Sequence, residues 1–183
     1  MDYALANGVN FFDTAELYPV PASADTYATT EVYIGEWLES RKSRDKIILA
    51  SKIAGPGDYT AHIRKTGFKG DSIDKALDES LKRLKTDYID LYQLHWPERL
   101  TNYFAVRNFK YFNDSWEDNF QEILHKLKKA VDAGKVRHVG LSNENPWGIM
   151  KFLEYSKNEL PKMITIQNPY SLLNRLFEIG SGE

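Results

Sequence analysis

Five short apolar runs rich in β-branched and aromatic residues recur along the chain, at residues 8–12, 46–51, 87–94, 136–141 and 162–166. Between them lie stretches whose apolar positions fall three and four apart. This alternation predicts parallel strands joined by helical crossovers. A helical remnant holding Tyr3, Ala4 and Leu5 precedes the first run, and a helix near residues 31–40 carries Val32, Ile34 and Leu38. The next helix places Ile73, Ala76, Leu77, Leu81 and Leu84 on one face, with Asp71 or Ser72 suited to cap its start. A fourth is expected to open at Ser115, with Asp118 three residues on. It turns Ile123, Leu124, Leu127 and Val131 inward and stops at Gly134, a residue suited to a left-handed end. Pro146 opens the last helix, at a position where no amide donor is needed. Long loops interrupt the pattern at residues 19–30 and 97–113.

Composition narrows the class. With 183 residues, one domain spanning 1–183 has enough chain for a real core. Hydrophobic content of 42%, charged content of 27% and a net charge of -2 give no electrostatic attraction to nucleic acid or anionic lipid, so the expected partner is a small molecule. The chain has no cysteine, which excludes disulfides, thiolate chemistry and Cys-based zinc sites. No apolar run reaches membrane-spanning length, and residues 1–10 lack a signal-peptide pattern, so a cytoplasmic protein with no membrane partner is expected. His62, His125 and His138 have no partner at metal-ligand spacing, and no metal is predicted.

In parallel α/β folds functional side chains collect at the carboxyl ends of strands. Here the runs are followed by Asp13, Lys52, His95, Ser142 with Asn143, and Gln167 with Asn168. Any one of these is explained by strand ends meeting solvent. Five polar ends expected on one rim are a stronger signal.

The loop after the first run reads Asp13-Thr14-Ala15-Glu16-Leu17-Tyr18, with a tyrosine five residues beyond the aspartate. In register with it follow Ile48-Leu49-Ala50-Ser51-Lys52, then Asp87 through Trp96, then Gly140-Leu141-Ser142-Asn143, then Ile166-Gln167-Asn168. Together these motifs, spread over essentially the whole chain, resemble the aldo-keto reductase family. Residues 16–21 and 167–175 are most similar to its bacterial Tas-like branch.

The resemblance implies a fold and a chemistry. The fold would be a partial (β/α)8 TIM barrel of about five parallel strands alternating with helices, lacking the first strand and the last two, so that the chain looks truncated at both ends. The chemistry would be NADPH-dependent reduction of an aldehyde or ketone to an alcohol. Tyr18 would donate the proton, Lys52 would bring its phenol toward working pH, and Asp13 would hold Lys52. His95 would hydrogen-bond the substrate carbonyl or assist proton delivery. Ser142, Asn143 and Gln167 would bind the nicotinamide carboxamide, and Trp96 would line the substrate pocket.

Residues Tyr103, Phe104, Phe109, Tyr111, Phe112 and Trp116, beside Arg99, Arg107 and Lys110, read as a lid over an apolar substrate rather than a nucleic-acid patch. A sheet open at both edges invites self-association or a complementing chain. The alternative reading is therefore a catalytically inactive barrel fragment acting as a binding or regulatory subunit, for which the cytoplasmic subunit of potassium channels is a family precedent.

Overall fold

A computed structural model describes residues 1–104, 115–157 and 159–175. Five helices and five strands alternate: α1 (Asp2–Ala6), β1 (Phe11–Asp13), α2 (Thr29–Arg41), β2 (Ile48–Ile53), α3 (Ser72–Leu84), β3 (Ile89–Leu94), α4 (Phe120–Asp132), β4 (Val136–Ser142), α5 (Pro146–Tyr155) and β5 (Met163–Gln167). The strands form one sheet in sequential order, all neighbours parallel. Sequential parallel pairing with a helix in every crossover between strands is the build of a (β/α)8 barrel, of which five strands are present. The sheet is curled: the Gln167 side chain on β5 donates to Asp13 on β1 at 3.1 Å, although three strands separate them in the sheet.

One face of the sheet is buried beneath the helices. Leu49, Ile53, Tyr92, Leu94, Val139 and Leu141 pack there against Ile73, Ala76, Leu77 and Leu84 of α3 and Ile123, Leu124 and Leu127 of α4. These are the helical positions that the periodicity predicts. Helix α2 buries Glu31, Gly35 and Leu38 most deeply, with Ile34 and Trp37 partly buried against the same core. A Cβ at Gly35 would stand 2.1 Å from the Arg83 carbonyl oxygen, so glycine is what lets α2 and α3 close on each other. Glu31 survives burial by accepting from Ser51 of β2 and from Arg83 of α3.

At the amino ends of the strands Asp90 accepts from Arg44 and Arg137, each at 2.7 Å, and from the Leu49 amide at 2.9 Å. Both guanidinium groups also cover the Tyr88 ring, 3.8 and 4.1 Å from its centroid.

Several boundaries differ from expectation for local reasons. Asp13, Lys52, Ser142 and Gln167 are strand residues, not residues after strands. Parallel pairing continues past each of them, with Thr14 donating to Ala50, Glu16 to Lys52 and Asn143 to Gln167. Helix α4 starts at Phe120 instead of Ser115: residues 115–119 are irregular, Asn119 donating to Glu98 at 2.6 Å and Asp118 accepting from the Phe120 amide. Asp71 occupies the cap position of α3 but makes no side-chain cap, its carboxylate pairing with Lys75. At α5, Pro146 is the first helical residue and Asn145 caps it, accepting from the Gly148 amide at 2.8 Å. Gly134 has φ 72 directly after the last turn of α4. The edge strands leave Phe11, Ile164 and Ile166 exposed.

Candidate active site

The carboxyl ends of the strands carry the site. Within β2 the side chains alternate, so while Leu49, Ser51 and Ile53 face the helices, Lys52 faces the concave side. Its ammonium is 1% exposed and lies 2.7 Å from Asp13 Oδ2 on β1 and 2.9 Å from the Thr14 carbonyl oxygen. Burial lowers its pKa, while Asp13 holds it up by charge and hydrogen bond.

Tyr18 reaches this pair from the loop after β1. The loop is pinned by Glu16, which is buried and accepts from the Ala54 amide at 2.9 Å and from both guanidinium nitrogens of Arg64. The Glu16 amide donates to the Lys52 carbonyl at 3.0 Å. Tyr18 is thereby held with its ring centroid 5.2 Å from Lys52 Nζ. Its phenol is raised above the usual 10, first by burial and then by the negative charge of Asp13. Proximity to Lys52 alone therefore does not bring it down, contrary to the sequence-based expectation, because burial and Asp13 both oppose the phenolate.

His95, the residue after β3, meets Tyr18 edge-on with centroids 5.5 Å apart. It is 4% exposed, and burial together with the Lys52 charge pushes its pKa down to about 3, which leaves a neutral imidazole at neutral pH. Its Nδ1 is buried with no hydrogen-bond partner among the described residues.

The rim continues through β4 and β5. Ser142 Oγ donates to the Gln167 carbonyl at 2.9 Å. Asn143, in the left-handed region at φ 51, donates to the His95 carbonyl at 3.0 Å and to Ser142 Oγ at 3.1 Å. The Gln167 amide donates to Asp13. The side-chain oxygens of Asn143 and Gln167 accept nothing among the described residues, leaving two acceptors on the rim for a group that carries N–H donors.

Asp13, Tyr18, Lys52, His95, Ser142, Asn143 and Gln167 are thus gathered at one end of the sheet. Trp96 lies beside His95, their ring centroids 4.9 Å apart. It is wholly buried, stacked on Tyr59 and packed with His95, Tyr103 and Phe104, and donates to the Pro56 carbonyl at 2.8 Å. It anchors the loops after β2 and β3 and lines a small cavity with Leu94, Pro97 and Arg99. Of the expected lid, Arg99 is buried with Glu144 and Asn145, while Arg107, Phe109, Lys110, Tyr111 and Phe112 lie outside the described residues. Two residues that the sequence reading did not single out belong here. They are Glu16, which fixes the Tyr18 loop, and Gln93, whose Nε2 lies 3.3 Å from Asp13 Oδ1. An amide one residue before the carboxyl end of the strand, two before His95, was the available signal for Gln93.

Among the described residues no group of three or more His, Asp or Glu side chains is placed to hold a metal ion. No described helix is long and apolar enough to cross a membrane.

A curled run of parallel strands with a polar cluster of Asp, Lys, Tyr and His at its carboxyl rim defines part of a (β/α)8 barrel of the enzyme type. Residues 1–180 match the aldo/keto reductase family, and the chain belongs to that family. It is 44% identical to protein Tas of Escherichia coli over 190 residues, covering all of this chain and 54% of that protein. It is 36% identical to the oxidoreductase YrpG of Bacillus subtilis, covering 98% of this chain and 50% of that one. The chain thus spans about half the length of these curated relatives. Among solved structures, a holo-form aldo-keto reductase from Bacillus halodurans superposes with a TM-score of 0.66 at 29% identity, covering 97% of this chain and 49% of that one. An aldo/keto reductase from Klebsiella pneumoniae in complex with NADP and acetate gives 0.56 at 26% identity, covering 82% and 40%.

Proposed function

We propose that this chain carries the proton-delivering and carbonyl-binding half of an NADPH-dependent reductase that converts an aldehyde or ketone to an alcohol. The observation that carries the reading is the convergence of Asp13, Lys52, Tyr18 and His95, from three separate stretches of sequence, at one rim. NADP in the Klebsiella relative supports the choice of cofactor.

Bound NADPH would supply the hydride to the carbonyl carbon. The side-chain oxygens of Asn143 and Gln167 suit the N–H donors of its carboxamide, and Ser142 orients Gln167 by donating to its carbonyl. The raised pKa of Tyr18 keeps the phenol protonated at neutral pH, as a proton donor to the carbonyl oxygen must be. Lys52 then stands beside the phenolate that remains. Neutral His95 provides an N–H for the substrate oxygen and carries no charge of its own to compete with that of Lys52. The small-molecule partner is thus a carbonyl compound.

The test is titration of the chain with NADPH, followed by quenching of its four tryptophans, alongside NADPH oxidation with nitrobenzaldehyde. Saturable binding and turnover lost in Tyr18→Phe support the reductase. A folded chain that binds no NADPH overturns it and leaves the non-catalytic binding subunit.

A further inference from the structure

The carboxylate of Asp13 receives donors from three strands. Lys52 on β2 donates to Oδ2 at 2.7 Å, Gln167 on β5 donates to Oδ2 at 3.1 Å, and Gln93 on β3 donates to Oδ1 at 3.3 Å. Only Gln93 engages Oδ1 among the described residues. Without it the carboxylate would be held by one oxygen, free to turn about a broad terminal torsion and to hydrate, since Asp13 is 27% exposed.

Gln93 is placed for this by the ladder. It pairs in register with Lys52 on one side and Gly140 on the other, which puts all three on the concave face. A Cβ at Gly140 would meet Gln93 Cγ at 3.4 Å and Thr165 Oγ1 at 2.1 Å, so glycine there leaves room for the long amide and for β5. At 3% exposure, the Gln93 amide needs a protein partner, and Asp13 is that partner.

We propose that Gln93 is a positioning residue: it fixes the plane of the Asp13 carboxylate and so the hold of Asp13 on the Lys52 ammonium beside Tyr18. Its importance for catalysis rests on the reductase reading. The bond and its effect on Lys52 do not, and they are tested without cofactor or turnover.

The experiment is a pH titration of the full chain with 13Cε-labelled lysine, the Lys52 resonance being identified by its loss in Lys52→Arg. Asp13 supports the charged form of Lys52 against burial. Loosening Asp13 in Gln93→Met is therefore expected to lower the Lys52 midpoint by about half to one unit, roughly a three- to tenfold rise in its acid dissociation constant. In an Asp13→Asn background the same substitution should move the midpoint little. A folded Gln93→Met with an unchanged midpoint overturns the proposal. So does an equal fall in both backgrounds, which marks a packing effect.

Should Gln93→Met fail to fold, Gln93→Glu decides. It brings a second carboxylate to the same ammonium and raises the Lys52 midpoint if the side chain faces the pair, and an unmoved midpoint overturns the proposal. Where turnover is measured, Gln93→Met should reduce kcat with KM unchanged. Turnover absent in the parent chain counts against the reductase and leaves the titration result standing.

Discussion

The His95 imidazole stands edge-on to the Tyr18 ring, with centroids 5.5 Å apart and planes at 82°. A ring buried in that position gives up its charge. With its pKa at about 3 against the usual 6.5, His95 stays neutral in the folded protein while the unfolded chain takes up a proton below pH 6.5. The unfolded state thus binds more protons between those values. The His95 contribution to stability is complete above pH 6.5 and is lost as pH falls toward 3, by up to about 1.4 kcal/mol per unit. Urea unfolding at pH 7, 5.5 and 4.5 should show a steeper acid loss in the parent than in His95→Gln. Equal slopes would mean that the imidazole is not held neutral.

Glu16 is expected to govern the order of the loop that carries Tyr18. In Glu16→Ala the Ala54 amide loses its acceptor and Arg64 its partner, leaving a buried donor unpaired at about 1–3 kcal/mol. Hydrogen exchange at the Ala54 amide should accelerate more than at the Asp90 amide of the core strand β3. A uniform change across both would show only global destabilisation.

The contact between α2 and α3 predicts that Gly35→Ala is destabilising despite the better helix propensity of alanine. The new methyl has the Arg83 carbonyl at 2.1 Å, and backbone must move to admit it. Overpacking of this kind costs about 1–3 kcal/mol. A melting temperature at or above that of the parent would refute the tight contact.

Asp90→Ala removes the shared acceptor of Arg44, Arg137 and the Leu49 amide at the end of the sheet opposite the site. A loss of about 3 kcal/mol is expected in denaturant unfolding, since Arg44 is mostly buried and its charge would be left unpaired. The NADPH affinity of the folded fraction should be unchanged, and a large fall in affinity would contradict this separation.

The order of strands is legible because each apolar run is short, and the clustering of Asp13, Lys52 and His95 at one rim because they stand at the ends of such runs. Buried acidic residues are not legible in the sequence. Glu16, Glu31 and Asp90 look like surface positions in one dimension, and only the fold brings Arg64, Arg83 and Arg44 across 48, 52 and 46 residues to pair with them. The start of α4 is not legible at Ser115, where Asp118 three residues on suits a helix opening, because the bond from Asn119 to Glu98 comes from another loop.

The bond from Gln167 to Asp13 spans the sheet from its last strand to its first like a string across a bow. It exists only while the strands between keep their bend. The side-chain amide of one glutamine is therefore a gauge of curvature. If the sheet relaxes toward flatness, the signal of that amide shifts even where every strand and helix remains intact, and the rim comes apart before the fold does.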